Sequence, residues 1–201
     1  EGKVKVGLSP HAPYSVSPPL LKRLAEWARA EGLPLMVHAA ESPEEVAFLA
    51  RGEGPLREVY GRFAKTPWTP PGTTPVRHLH ALGVLGPTTL LVHGVQVDEE
   101  EVGLLAETGT KVVLCPRSNA NLEVGEAPLA LYAKHGVELA LGTDSRGSSP
   151  DLDVKNEARF LWGRAEPRLL VRALTRGGYR ALGLPTPRLT RGTPLSLVHF
   201  L

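Results

Sequence analysis

Four short apolar runs end on residues able to do chemistry: Leu33 to Val37 on His38, Leu90 to Val92 on His93, Val112 to Leu114 on Cys115, and Val137 to Gly142 on Thr143 and Asp144. Glu41 follows His38 at three residues. Neutral imidazoles and a carboxylate are the donors that a divalent metal hydrolase needs, with one coordination position left for water and a separate acid or base beside it. His38, His93, Asp144 and Glu41 supply those types. One His at a strand end is ordinarily a hydrogen-bonded structural residue. Three strand exits bearing His, His and Asp weigh against that account for the set, because parallel strands deliver their C-terminal ends to one rim.

The elements that must position these residues are legible in outline. Runs rich in Val and Leu without polar alternation suit strands buried on both faces, and the helical patterns between them supply crossovers. Strands are predicted at residues 4–9, 33–40, 89–93, 111–115 and 137–141, five in parallel. Pro18-Pro19 opens a helix closed by Gly32, Pro43 stands in the first turn of the next, and Asp98 caps an acidic first turn whose helix ends at Gly109. Further helices are expected at residues 127–134, 151–162 and 167–182. Residues 52–74 read as an inserted loop or short helix over a pocket, and residues 116–126 as a second loop. Periodicity alone leaves open a doubly wound sheet or most of a (β/α) barrel, although no Gly-rich phosphate turn favours the nucleotide-binding version.

With 201 residues and 42% hydrophobic content the chain can bury one substantial core. A formal charge of +2 is scattered without a basic block, so a small-molecule partner is expected and nucleic acid is not. No window suggests a membrane span. One cysteine excludes an internal disulfide and is compatible with a reducing cytoplasm. The chain begins at Glu1 in what reads as mid-fold, which implies an upstream part.

Pro10-His11-Ala12-Pro13-Tyr14, Val37-His38-Ala39-Ala40-Glu41, Leu91-Val92-His93-Gly94, Cys115-Pro116-Arg117-Ser118-Asn119 and Leu141-Gly142-Thr143-Asp144-Ser145, in that order, resemble the amidohydrolase superfamily over nearly the whole chain. The resemblance is nearest to its aminohydrolase branch, which includes adenosylhomocysteine/methylthioadenosine, aminodeoxyfutalosine and guanine deaminases and the triazine chlorohydrolases. It implies an α/β fold, a distorted TIM-type (β/α)8 barrel, here about five of eight βα units entered at what resembles the fourth strand. Residues 1–190 would form the partial barrel and residues 191–201 the start of a tail strand. The resemblance also implies one divalent metal, zinc ahead of iron, held by His38 from the fifth strand and Asp144 from the eighth. His93 would stand beside the reactive water, Glu41 would protonate the substrate ring, Asp144 would take the proton from water, and His11, Glu41 and Ser148 would contact the substrate.

The implied function is deamination of an aminated purine nucleoside or related heteroaromatic ring, with aminodeoxyfutalosine the most specific expectation. A chlorohydrolase acting on a halogenated triazine-like ring and a non-catalytic partial barrel are the alternatives. For Glu41 a helix N-terminal carboxylate is the structural account, since Ser42-Pro43 opens a helix after it. Tyr60, Arg62, Phe63, Lys65 and Trp68 offer a stacking surface and a cation, or merely cover a loop. Cys115 reads as a small buried hydrophobe, Ser118 and Asn119 as loop-shaping residues, His135 as a helix-end cation, and His199 as part of the tail.

His78-Leu79-His80 is the one His-x-His in the sequence, but Leu79, Leu82 and Leu85 put it on a helix, where residues two apart diverge by ~200°. It does not replace the His-x-His that such enzymes carry on their first strand. The metal site is therefore expected to be incomplete with His38 and Asp144 alone. Uncovered strand edges also imply association, as a homo-oligomer or an aggregate. The isolated 201-residue chain should bind zinc substoichiometrically and lack turnover, since catalytic zinc commonly keeps three protein ligands. Metal analysis of the purified chain checks this, and one tightly held zinc per chain with measurable activity would contradict it.

Overall fold

The computed structural model describes residues 6–63, 68–186 and 191. Four strands, β1 (Leu35–Ala39), β2 (Thr89–His93), β3 (Lys111–Leu114) and β4 (Leu139–Leu141), form one parallel sheet in the order β1-β2-β3-β4. Val37 pairs with Leu91, Leu91 with Val112, and Val112 with Leu139. These residues belong to the large core beneath the helices. Leu90 and Ala140, one residue out of step, belong instead to a smaller cluster with Ala181, against which Met36 and Val113 pack. Every residue of β2 is buried, as a central parallel strand covered on both faces requires.

The fifth expected strand, at residues 4–9, contributes a single parallel bridge, Leu8 to Leu35. Leu8 donates to the Pro34 carbonyl at 2.9 Å and accepts from the Met36 amide at 2.8 Å. Pairing stops there because Pro10 has no N–H to offer; residues 1–5 lie outside the described part.

Ten α-helical segments connect and cover the strands: α1 (Pro18–Glu31), α2 (Pro43–Arg51), α3 (Pro55–Phe63), α4 (Pro75–Ala81), α5 (Glu99–Thr108), α6 (Pro116–Asn121), α7 (Leu129–His135), α8 (Val154–Phe160), α9 (Pro167–Arg172) and α10 (Gly178–Ala181). Gly32 closes α1 and Gly109 closes α5, both left-handed, and Asp98 and Glu101 form a reciprocal capping box at the start of α5. The predicted loop at 116–126 opens instead with α6. The helix expected at 167–182 is interrupted by a π-helical turn, Ala173–Gly177. That turn packs on β4, where a Cβ on Gly177 would overlap the Leu139 carbonyl oxygen.

The insertion at 52–74 contains α3, none of whose residues is buried. Trp68 stacks on Phe48 at 4.0 Å between ring centroids and Tyr60 tilts against both, so these two aromatics pack a loop. Phe63 is 79% exposed, and Lys65 lies outside the described residues. His78 and His80 sit on α4, one buried and one exposed, as helical spacing dictates. The tail strand expected from residue 191 lies outside the described part apart from Arg191. Among the described residues, no helix is long and apolar enough to cross a membrane.

Gly177→Ala should destabilise the fold by about 3 kcal/mol, because the added methyl meets backbone rather than a side chain that can swing aside. Chemical denaturation of the variant against wild type measures this.

Candidate active site

The site is built at the C-terminal ends of the strands. His38, on β1, donates both its backbone N–H (2.9 Å) and its ring Nδ1 (3.0 Å) to the carbonyl of His11. A carbonyl only accepts, so Nδ1 carries the proton and Nε2 of the neutral ring keeps its lone pair, the state in which an imidazole binds a metal. The His11 ring is anchored through Nδ1 to the Ser15 hydroxyl at 2.6 Å, and its centroid stands 5.6 Å from that of His38.

His93 ends β2 and is 1% exposed. Its Nδ1 donates to Asn119 Oδ1 at 2.9 Å, and its Nε2 lies 3.6 Å from Glu41 Oε1. The ring centroids of His38 and His93 are 5.5 Å apart. The backbone at His93 is left-handed (φ 76°), as it is at Ala40 (54°) and Asp144 (60°). Gly94 continues the bend at φ 56°, and Tyr132 donates to its carbonyl at 2.6 Å; a Cβ at Gly94 would run into that hydroxyl.

Asp144, beyond the end of β4, receives 2.7 Å contacts on Oδ2 from the hydroxyls of both Ser118 and Ser148. Those hydroxyls are also 2.8 Å from each other. Two protons serve three short contacts, and both are best placed on the carboxylate. Burial would raise the Asp144 pKa, but these hydroxyls, the Ser145 amide and then His93 outweigh it, so the carboxyl is held below its ordinary range.

The structure brings Glu41, His93 and Asp144 together, with one donor atom from each within 4.8 Å of the others. His38 borders the group through its ring contact with His93, and His11 borders His38 in turn. Ser148 is buried and turned onto Asp144. Cys115 is buried beside the site, and burial, then Asp144 and Glu157, push its thiol well up, which leaves it inert. His135 faces Glu99 at 3.1 Å, away from the group.

Ser118 and Asn119 are the residues that sequence reasoning undervalued. They are neighbours on α6, and one holds Asp144 while the other orients His93. Arg117 braces α6, with a bidentate pair to Asp151 (2.9 and 2.8 Å) and its backbone N–H on Glu157 at 3.0 Å.

Glu45 is the second. At 2% exposure on the first turn of α2, it accepts the backbone N–H of Glu41 on Oε2 at 2.8 Å. Burial, opposed by the Glu41 and Ala40 amides and assisted by the Glu41 charge, pushes its carboxyl up to about 8. The only available signal was Ser42 followed at three residues by Glu45, a capping-box spacing.

A partial (β/α) barrel whose strand exits gather imidazoles and carboxylates on one rim defines a class of barrel that works at the C-terminal edge of its sheet. The model of the amidohydrolase family matches residues 1–200, and the chain belongs to that family. It is 43% identical to an aminodeoxyfutalosine deaminase of Deinococcus radiodurans over 205 residues, covering 94% of this chain and 48% of that protein. Among solved structures it is similar to the aminofutalosine deaminase of Helicobacter pylori (TM-score 0.80, 25% identity, 92% of this chain and 48% of that one). It is also similar to an adenosine deaminase from Xanthomonas campestris with bound zinc (TM-score 0.71, 31% identity, 88% and 38%). The chain thus spans about half the length, or less, of the relatives it matches.

The folded pKa of Glu45, about 8, exceeds its ordinary 4.5, so the native state binds this proton more tightly than the unfolded chain does. Its contribution to stability is full below about 4.5 and fades as pH rises through about 8, with Glu41 and the Tyr14 phenol the titratable groups facing it. Glu45→Gln cannot ionise and should flatten that decline; thermal melts across this window check it.

Proposed function

We propose that this chain supplies the catalytic edge of a metal-dependent aminohydrolase that deaminates an aminated purine nucleoside, with aminodeoxyfutalosine or an adenosine-type compound as the substrate. The observation that carries the reading is the convergence of Glu41, His93 and Asp144 within 4.8 Å, next to a His38 whose Nε2 is free of a proton. The deaminases to which the chain is similar support the substrate class.

The donors fit a divalent cation: an imidazole with its tautomer set by a carbonyl and a carboxylate held ionised by two hydroxyls. His38 and Asp144 would hold it, and nitrogen and carboxylate ligands suit zinc better than iron, in keeping with the zinc of the Xanthomonas structure. When bound, such an ion brings the pKa of water toward neutrality.

The chain's own groups account for the proton movements. Asp144 accepts a proton from water at its carboxylate. His93, buried and fixed by Asn119, orients that water through Nε2. Glu41 hands a proton to the ring nitrogen next to the amino-bearing carbon, which makes that carbon electrophilic. Water adds there, the C–N bond breaks, and ammonia leaves with the proton it needs, so substrate and water become the oxo product and ammonia. His11, exposed at the mouth, is positioned to meet the substrate ring, and Ser148 acts on it through Asp144.

Glu41 separates deamination from chloride displacement from a triazine-like ring, because protonating the ring is what makes an amino group's carbon open to attack. The full-length protein should release ammonia from adenosine-type substrates and no chloride from a chlorotriazine. Glu41→Gln should lower kcat by roughly 10²–10⁴-fold, the usual worth of a general acid. An ammonia assay reads both, and wild-type turnover in Glu41→Gln would sink the assignment.

A further inference from the structure

The β1 exit must present the Glu41 carboxylate to His93, and its backbone has no regular structure to hold it there. Ala40 is left-handed at φ 54°. Its carbonyl accepts the amides of Val95 (2.7 Å) and Gln96 (2.8 Å), which ties the corner to the β2 exit. The Glu41 amide has another destination, the Glu45 carboxylate at 2.8 Å.

Glu45 occupies the third position of α2, where a capping-box glutamate ordinarily reaches back to the cap residue at the surface. Ser42 does cap the helix, accepting the Glu45 amide at 3.2 Å. The Glu45 side chain departs from a surface cap in two ways. It is 2% exposed, and its Oε1 is buried with no hydrogen-bond partner. An unpaired buried polar atom costs about 1–3 kcal/mol, a price that a solvent-facing cap would not incur. Retaining a carboxyl at that cost is reasonable only if what its other oxygen holds matters.

We propose that Glu45 is a positioning residue for the reaction: by accepting the Glu41 backbone amide from beneath, it fixes the corner from which the Glu41 side chain faces His93. The kinetic part of this inference rests on the deaminase reading above. The positional part does not. Because burial raises the Glu45 carboxyl, the proton resides on Oε1 at neutral pH while Oε2 accepts. Glutamine then matches the group in both shape and charge. Alanine removes the acceptor.

The test compares wild type, Glu45→Gln and Glu45→Ala in the full-length protein, reading exchange of the Glu41 amide by NMR beside steady-state kinetics. Glu45→Ala should speed Glu41 amide exchange at least about 10-fold, with the amides beyond the first turn of α2 unchanged. It should also lower kcat by about 30–100-fold with KM shifted less than about threefold, the signature of a misplaced catalytic group. Glu45→Gln should keep the protection and bring kcat to within about fivefold of wild type. Wild-type protection of Glu41 in Glu45→Ala overturns the proposal, as does exchange raised evenly along α2, which is what loss of a helix cap alone would do. Full kcat despite lost protection overturns it as well. If Glu45→Ala does not fold, Glu45→Met, which fills the space without a carbonyl acceptor, takes its place under the same criteria. If no substrate is turned over by wild type, the deaminase reading fails and the amide exchange still decides the positional one.

Discussion

Left-handed backbone at the strand exits is the constraint on which the site depends. Ala40, His93 and Asp144 each adopt a positive φ without being glycine, at about 1–3 kcal/mol apiece. Such bends persist only where the surroundings over-determine them, and here each one is held. The Ala40 carbonyl takes two amides from the β2 exit, Tyr132 clamps Gly94 directly after His93, and two serine hydroxyls grip Asp144. Released from these contacts, the three exits would relax toward ordinary extended backbone, and the side chains would lose their common focus.

The carboxyls at this rim are kept in different states by different surroundings. Asp144 sits among hydroxyl donors and remains ionised. Glu45, a short distance beneath Glu41, is shut away from water and holds its proton to about 8. Separating two acids in this way lets one take up a proton while another serves as a neutral strut. Two helices do the supporting: α2 through Glu45 under the first exit, and α6 through Ser118 and Asn119 under the second and fourth strands.

Much of this was legible in the sequence, for reasons that can be named. The apolar runs ending at His38 and His93 and before Asp144 are buried parallel strands with no polar alternation, so their ends could be located to within a residue or two. Helix α6 escaped notice because Ser118, Asn119 and Asn121 are poor helix formers and only Pro116 marks its start; tertiary anchoring by Arg117 overrides the propensity. Glu45 resembled one more acid in an exposed first turn beside Glu44, because burial is a property of the packed corner and leaves little trace in local composition. The bends at Ala40 and His93 were invisible, since neither residue type advertises φ > 0. The aromatics of the insertion looked available to a ligand until their mutual stacking on Phe48 was seen.

One six-residue segment, α6, carries adjacent side chains that serve opposite sides of the reacting centre. Variation there cannot be independent: a change that tilts this segment to suit one neighbour disturbs the other at once. Substitutions at 118 and 119 should therefore show strong epistasis, with joint effects far from the sum of single ones. For a lineage adapting to a new ring, such pleiotropy channels change away from this segment and toward the looser insertion after α2.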